Sequence, residues 1–263
     1  MTYSQEISRA TPGCIMFLID QSGSMAEAFA GDETTSKKDG VASAVNRILL
    51  ELILKSVKDH DEGPRHYFDI GMVCYGESVG SAFGGELSSR EIVSIPELTA
   101  HPLAPEQPVW LEPRAEGRTP MGEAINLAGR ILAKWANEHL ESFPPIVINI
   151  SDGAATDETD VWVERLKSIR TNDGQLLFFN LNVARFRDEP VMFPASDEQL
   201  PNDYARTLFR YSSELPPSMF QEASRGRDVP LSAGSRGFGY NGDFNALTDF
   251  LITGTQVSLD RPT

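Results

Sequence analysis

Residues 14–19 read Cys-Ile-Met-Phe-Leu-Ile, an unbroken apolar run that stops at Asp20-Gln21-Ser22-Gly23-Ser24. Six apolar residues in succession are too few for a helix. They suit a strand buried on both faces of a parallel sheet. The three oxygen-bearing side chains that follow, Asp20, Ser22 and Ser24, recur at every second position. They fall just beyond the carboxyl end of that strand, where open α/β sheets bind ligands. Oxygen donors of low total charge suit a hard cation such as Mg²⁺, which takes octahedral oxygen coordination and keeps several waters.

The rest of the chain repeats the strand–helix alternation. Strands are expected over 14–20, 67–75, 78–83, 146–151, 176–184 and 236–241. Val41, Val45, Ile48, Leu49, Leu52 and Val57 recur at helical spacing and predict an amphipathic helix over 40–59. Residues 120–139 predict a second, with Ile125, Leu127, Ala128, Ile131, Leu132 and Trp135 on its apolar face. Shorter helices are expected over 161–169, 217–223 and 244–252. This order implies a doubly wound α/β fold: a mostly parallel central sheet with helices on both faces. The two-residue link Gly76-Glu77 implies a hairpin, so residues 78–83 should form an antiparallel edge strand. Two proline-rich stretches, 84–118 and 185–216, read as long loops; their aromatics, among them Trp110, Phe186, Phe193 and Phe209, favour packed ones. With 263 residues and no visible linker, residues 1–263 are expected to be a single domain.

Charge narrows the function classes. The chain carries a net charge of −15 and a pI near 4.7. Nucleic acid and anionic membrane surfaces are poor partners for it, because both need clustered Lys and Arg. No apolar stretch reaches bilayer-spanning length, and residues 1–12 lack the apolar core of a signal peptide, so a cytoplasmic location is expected. Cys14 lies near the start of its strand and Cys74 near the end of the next. In parallel neighbours that offset puts a disulfide out of reach. Asn149-Ile150-Ser151 matches a glycosylation acceptor but lies inside an expected central strand.

Two more segments complete a pattern. Gly117-Arg118-Thr119-Pro120-Met121 precedes the long helix, and the apolar strand over 146–151 ends in Ser151-Asp152-Gly153. With Asp20-x-Ser22-x-Ser24, these resemble the metal-ion-dependent adhesion site of von Willebrand factor A domains, and the order of elements resembles that family along nearly the whole chain. The resemblance implies that Ser22, Ser24 and Thr119 are hydroxyl ligands of a divalent ion, with Asp20 and Asp152 acting mainly through ordered waters. It implies Mg²⁺, with Mn²⁺ or Ca²⁺ as alternatives, and a partner protein whose acidic side chain completes the coordination. Few direct carboxylates leave such an ion attractive to an outside acid. Arg118 departs from the family, which often has Gly there. Within the family the chain looks like the cytoplasmic tellurium-resistance-associated branch of bacteria. That branch implies stress or defence signalling, with a serine/threonine kinase or a metal-dependent phosphatase encoded nearby as partner. The segments resembling it are 135–145, Leu215-Pro216-Pro217, 237–241 and 249–255.

Each piece has a plainer reading. Ser22 and Ser24 suit local turn bonds, and Thr119 before Pro120 suits a helix N-cap. Their joint order at strand ends favours the metal site. Gly237-Phe238-Gly239-Tyr240-Asn241-Gly242 fits G-x-G-x-x-G, but no βαβ unit follows it. His60, His66, His101 and His139 show no catalytic or metal spacing, and His60 and His139 fall at expected helix C-termini. A non-enzymatic binding module is therefore expected. The alternative is a Mg²⁺-dependent phosphohydrolase with Asp20 as nucleophile. Against it stand two expectations: no Lys beside the site to hold phosphate, and no second adjacent carboxylate.

Overall fold

A computed structural model describes residues 2–59, 61–104, 106, 108–183, 189–224 and 231–255. The chain opens with β1 (Gly13–Asp20), the hairpin β2 (Ala28–Phe29) and β3 (Asp32–Ser36), and α1 (Lys37–Ser56). Next come β4 (Phe68–Tyr75), β5 (Val79–Ser81), β6 (Val93–Ser94) and α2 (Ile95–Ala100). After α3 (Met121–Glu138) and β7 (Ile146–Ser151) follow α4 (Asp160–Ser168) and the small hairpin β8 (Arg170–Thr171) and β9 (Gly174–Gln175). The last third holds β10 (Leu177–Val183), β11 (Val191–Met192), α5 (Asp203–Tyr211), α6 (Pro217–Ser224), β12 (Phe238–Gly242) and α7 (Phe244–Gly254).

The main sheet runs β11-β12-β10-β7-β1-β4-β5, with β6 also on β4. Its centre, β12, β10, β7, β1 and β4, is parallel throughout. The antiparallel edge expected at residues 78–83 is β5, paired to Val73–Tyr75. Two further antiparallel strands were not expected: β6 on the start of β4, and β11 on β12 at the opposite edge. Both are two residues long and sit in the proline-rich stretches. Nothing so short shows period-2 alternation in a sequence.

Successive residues of β1 face opposite layers. Ile15, Phe17 and Ile19 pack in one core with Val41, Val45, Ile48 and Leu52 of α1 and Leu247, Phe250 and Leu251 of α7. Cys14, Met16 and Leu18 pack in the other with Ile125, Ala128, Leu132 and Trp135 of α3 and Leu208 of α5. Each of the Val, Leu, Ile, Met and Phe side chains among them contributes ~1.5–3 kcal/mol by leaving water. Cys14 pairs with Asp69 and Cys74 with Ile19, five residues further along the same two strands, and both thiols are free.

α1 begins three residues earlier than expected. Ser36 caps it by accepting from Asp39 N–H, and the β2–β3 hairpin delivers the chain to that cap. The hairpin turns on Ala30 (φ 50°) and Gly31 (φ 77°), the paired left-handed conformation of a tight two-residue turn. The two long stretches are not loop throughout: α2 lies in the first and α5 in the second, and aromatics among their described residues are packed. Trp110 is buried, and its indole N–H donates to Leu98 O at 2.7 Å. Asn46 of α1 accepts from Trp110 N–H and Leu111 N–H at 2.8 and 3.0 Å. Phe193 and Phe209 are buried as well, the first stacked on Phe250. Phe186 and His60 lie outside the described residues. His139 ends α3, stacked on Trp135 with ring centroids 4.3 Å apart.

Candidate metal centre

β1 leaves the sheet at Asp20, where Gln21 N–H makes the last ladder bond, 2.7 Å to Tyr75 O. The next residues turn back over their own carboxylate. Ser22 N–H donates to Asp20 Oδ1 at 2.8 Å, and Ser151 Oγ, at the end of β7, donates to Asp20 Oδ2 at 2.8 Å. Each carboxylate oxygen is therefore held by its own donor, and Asp20 is only 1% exposed. Gly23–Ala26 winds into one 3₁₀ turn, which brings the Ser24 hydroxyl to 3.2 Å from that of Ser22. Ser24 Oγ donates to Asp152 Oδ1 at 2.8 Å. Asp152 is 128 residues away in sequence and adjacent only because β7 pairs in parallel with β1.

The loop carrying Thr119 is fastened to the same turn by backbone. Glu116 N–H donates to Gln21 O at 2.7 Å, and Gly23 N–H donates to Gly117 O at 3.2 Å. These loops meet where side chains do not fit. A Cβ on Gly76 would lie 2.6 Å from Gln21 O, and one on Gly117, at φ +83°, would lie 2.4 Å from Glu77 N.

Thr119 is buried and is not the helix cap that its place before Pro120 suggests. α3 has no side-chain cap of its own. Instead Asp157, from the segment after β7, accepts from Gly122 N–H at 2.9 Å and Glu123 N–H at 2.8 Å. The start of α3 therefore makes no demand on the Thr119 hydroxyl, and Arg118 beside it is exposed.

Burial is the largest influence on Asp20 and pushes its carboxyl up to about 6, against the Ser22 and Ser151 hydrogen bonds, which pull it down. Asp152 adds a like charge that raises it further. A buried carboxylate held this way gains from a nearby cation. One cation is already there. Lys37, the first residue of α1, places Nζ 2.6 Å from Asp152 Oδ2, 3.0 Å from Glu27 Oε2 and 3.4 Å from Ser24 O. This corrects the expectation that no lysine adjoins the site. Lys37 is distant in sequence and arrives only through the β2–β3 hairpin, where Lys37 N–H bonds Glu27 O.

Behind the site the sheet carries a buried polar chain that sequence reading missed. Tyr204 O–H donates to Ser151 Oγ at 3.2 Å, and Tyr75 O–H donates to Asn149 Oδ1 at 2.7 Å. Asn149 Nδ2 donates to Asn180 Oδ1 at 3.1 Å, and Asn180 Nδ2 to Ser212 Oγ at 3.0 Å. Asn149 and Asn180 interrupt otherwise apolar runs, which is the one sign of this chain in the sequence. Beside the site opens a cleft of about 640 Å³, lined by Ser24, Lys37, Asp152, Asn182, Tyr204 and Tyr240 among others.

Asp20, Ser22, Ser24 and Asp152 are thus joined by direct bonds, and the Thr119 loop is tied to the same turn. Among the described residues no three His, Cys, Asp or Glu side chains cluster as a metal site. This centre instead offers two carboxylates with hydroxyls, a donor set that fits a hard divalent ion.

No family model and no curated protein matches the chain by sequence. Solved structures similar to it include a von Willebrand factor type A protein from Catenulispora acidiphila, at 12% identity and a TM-score of 0.49, over 93% of this chain and 42% of that one. Proximal thread matrix protein 1 of the mussel byssus, with a zinc-occupied MIDAS motif, is similar at 13% identity and 0.48, over 95% and 48%. Manganese-loaded Plasmodium vivax TRAP protein is similar at 13% and 0.42, over 95% and 76%. The chain spans less than half the length of each of the first three structures it matches. Identities this low leave the ligands of those proteins with those proteins.

Proposed function

We propose that the chain is a von Willebrand factor A-like module that binds a protein partner through a divalent cation, and that it is not an enzyme. The observation that carries this is the direct contact of the Asp20-x-Ser22-x-Ser24 turn with Asp152, beside the tethered Thr119 loop. Ser22, Ser24 and Thr119 would hold the ion, with Asp20 and Asp152 behind them. A bound Mg²⁺ would supply a Lewis-acidic docking point for an acidic side chain of the partner. The chain's own residues do the rest. Ser22 N–H and Ser151 keep the Asp20 carboxylate turned toward the turn, and the adjoining cleft offers Asn182, Tyr204 and Tyr240 to whatever flanks that acid. The family resemblance supports a cytoplasmic bacterial stress or defence setting, with a kinase or phosphatase as partner. No described helix is long and apolar enough to cross a membrane.

Calorimetric titration with Mg²⁺ and Mn²⁺ tests the reading. Wild type should bind one ion and Ser22→Ala should lose at least tenfold in affinity while keeping its circular dichroism. Affinity capture from the native host should then fail in EDTA and with the Ser22/Ser24 double alanine. Metal binding unaltered by Ser22→Ala, or capture undiminished by EDTA, would overturn it.

Lys37 and Asp152 give the phosphohydrolase reading the cation and the second carboxylate that it was expected to lack. Yet Lys37 is bound to Asp152 and Glu27, and Asp20 is buried with both oxygens engaged. A generic phosphoester assay in Mg²⁺ should show no turnover that Asp20→Asn removes.

A further inference from the structure

We infer that Lys37 is a resident cation of the metal centre, a positioning residue that holds Asp152 and limits how tightly a divalent ion binds. The inference rests on the metal-binding reading above and deepens it. Three facts carry it. Lys37 is 2% exposed, and its three ammonium protons face three acceptors, the carboxylates of Asp152 and Glu27 and the carbonyl of Ser24. An ammonium withdrawn this far from water is sustained only by such full pairing. Second, its closest contact is Asp152 Oδ2 at 2.6 Å, while Asp152 Oδ1 accepts from Ser24 at 2.8 Å. Both oxygens of that carboxylate are thus assigned, and its side chain is 1% exposed. Third, the backbone builds the contact in: Lys37 begins α1 directly after the Ser36 cap, and the hairpin fixes that cap beside Glu27.

The consequence is electrostatic. Asp152 is half of a buried ion pair, so it offers less net negative charge to an ion at the Ser24 hydroxyl. The ion also meets a like charge across the same carboxylate. Affinity for metal falls, and a larger share of the ion's charge is left for an acid from outside. A site tuned in this way holds its ion best when the partner arrives with it.

Mn²⁺ titration of wild type, Lys37→Met, Lys37→Arg and Ser22→Ala decides the matter. Lys37→Met is expected to bind Mn²⁺ at least tenfold more tightly than wild type, and Lys37→Arg within about threefold of it. If Lys37→Met is unfolded without metal, Mn²⁺ should refold it, followed by circular dichroism. Tighter binding or metal-driven refolding supports the inference, and so does binding by Lys37→Met where wild type binds none. Equal or weaker affinity in a folded Lys37→Met, or a variant that Mn²⁺ does not refold, overturns it. When wild type binds and Ser22→Ala does not, such a result leaves the metal reading standing and removes only the role of Lys37. Binding by neither wild type nor Lys37→Met removes both.

Discussion

Hydrogen bonds between side chains set the properties of single groups. Asp69 accepts from His66 Nε2 at 2.7 Å and from Trp135 Nε1 at 2.8 Å, which ties the start of β4 to α3. The bond to Asp69 raises the His66 imidazole above its ordinary value, against the opposing effect of its partial burial. A histidine raised in the folded state lends stability that is complete below its unfolded value of about 6.5 and is lost as pH climbs through the folded value. NMR titration should therefore place His66 above that value, and Asp69→Asn should bring it down. In urea melts, wild type should lose more stability between pH 6 and pH 8 than His66→Gln does. An unshifted His66 would refute the coupling.

At the element scale, helix starts are set by residues outside the local pattern. α3 begins where Asp157 reaches back to Gly122 and Glu123, although Thr119-Pro120 looks like a sufficient start signal. Asp157→Ala should lower stability by ~1 kcal/mol, read as a shift in the urea midpoint at unchanged slope. It should leave Mn²⁺ affinity nearly intact, because Asp157 touches the helix and not the Asp20 turn. α1 differs in kind. Its apolar spacing was legible from Val41 to Leu52, but its first turn belongs to the hairpin, and so does the placement of Lys37.

At the scale of the whole molecule, two cores sandwich one sheet and the site sits where its strands end. Phe17 is fully buried beneath α1 and α7. Phe17→Ala should cost ~3–5 kcal/mol, the range for a large aromatic removed from a packed core. Gly117→Ala tests a different property. The new Cβ meets the Gly76–Glu77 backbone at a positive φ, so Gly117 must shift from that link and the bond from Gly23 N–H to Gly117 O, which ties the Thr119 loop to the Ser22 turn, is strained. Both melting temperature and Mn²⁺ uptake should fall in this variant. An unchanged metal titration would show that the loop contributes nothing to the centre.

Much of this fold and its site is legible in the amino-acid order. The alternation of apolar runs with helical spacing determined the five parallel strands, the long helices and the two layers, because burial on both faces demands that patterning. The parallel order then placed Asp20, Ser22, Ser24 and Asp152 at the carboxyl end of the sheet's central strands, because the ends of neighbouring parallel strands lie side by side. Left to the tertiary structure were the edge strands β6 and β11, the helix inside 203–211, the carboxylate of Asp157 on α3 and the ammonium of Lys37 on Asp152. Periodicity records which face of an element is buried. It holds no record of which distant polar group will satisfy a buried charge, since that partner is chosen by the folded chain's geometry and leaves no local pattern behind.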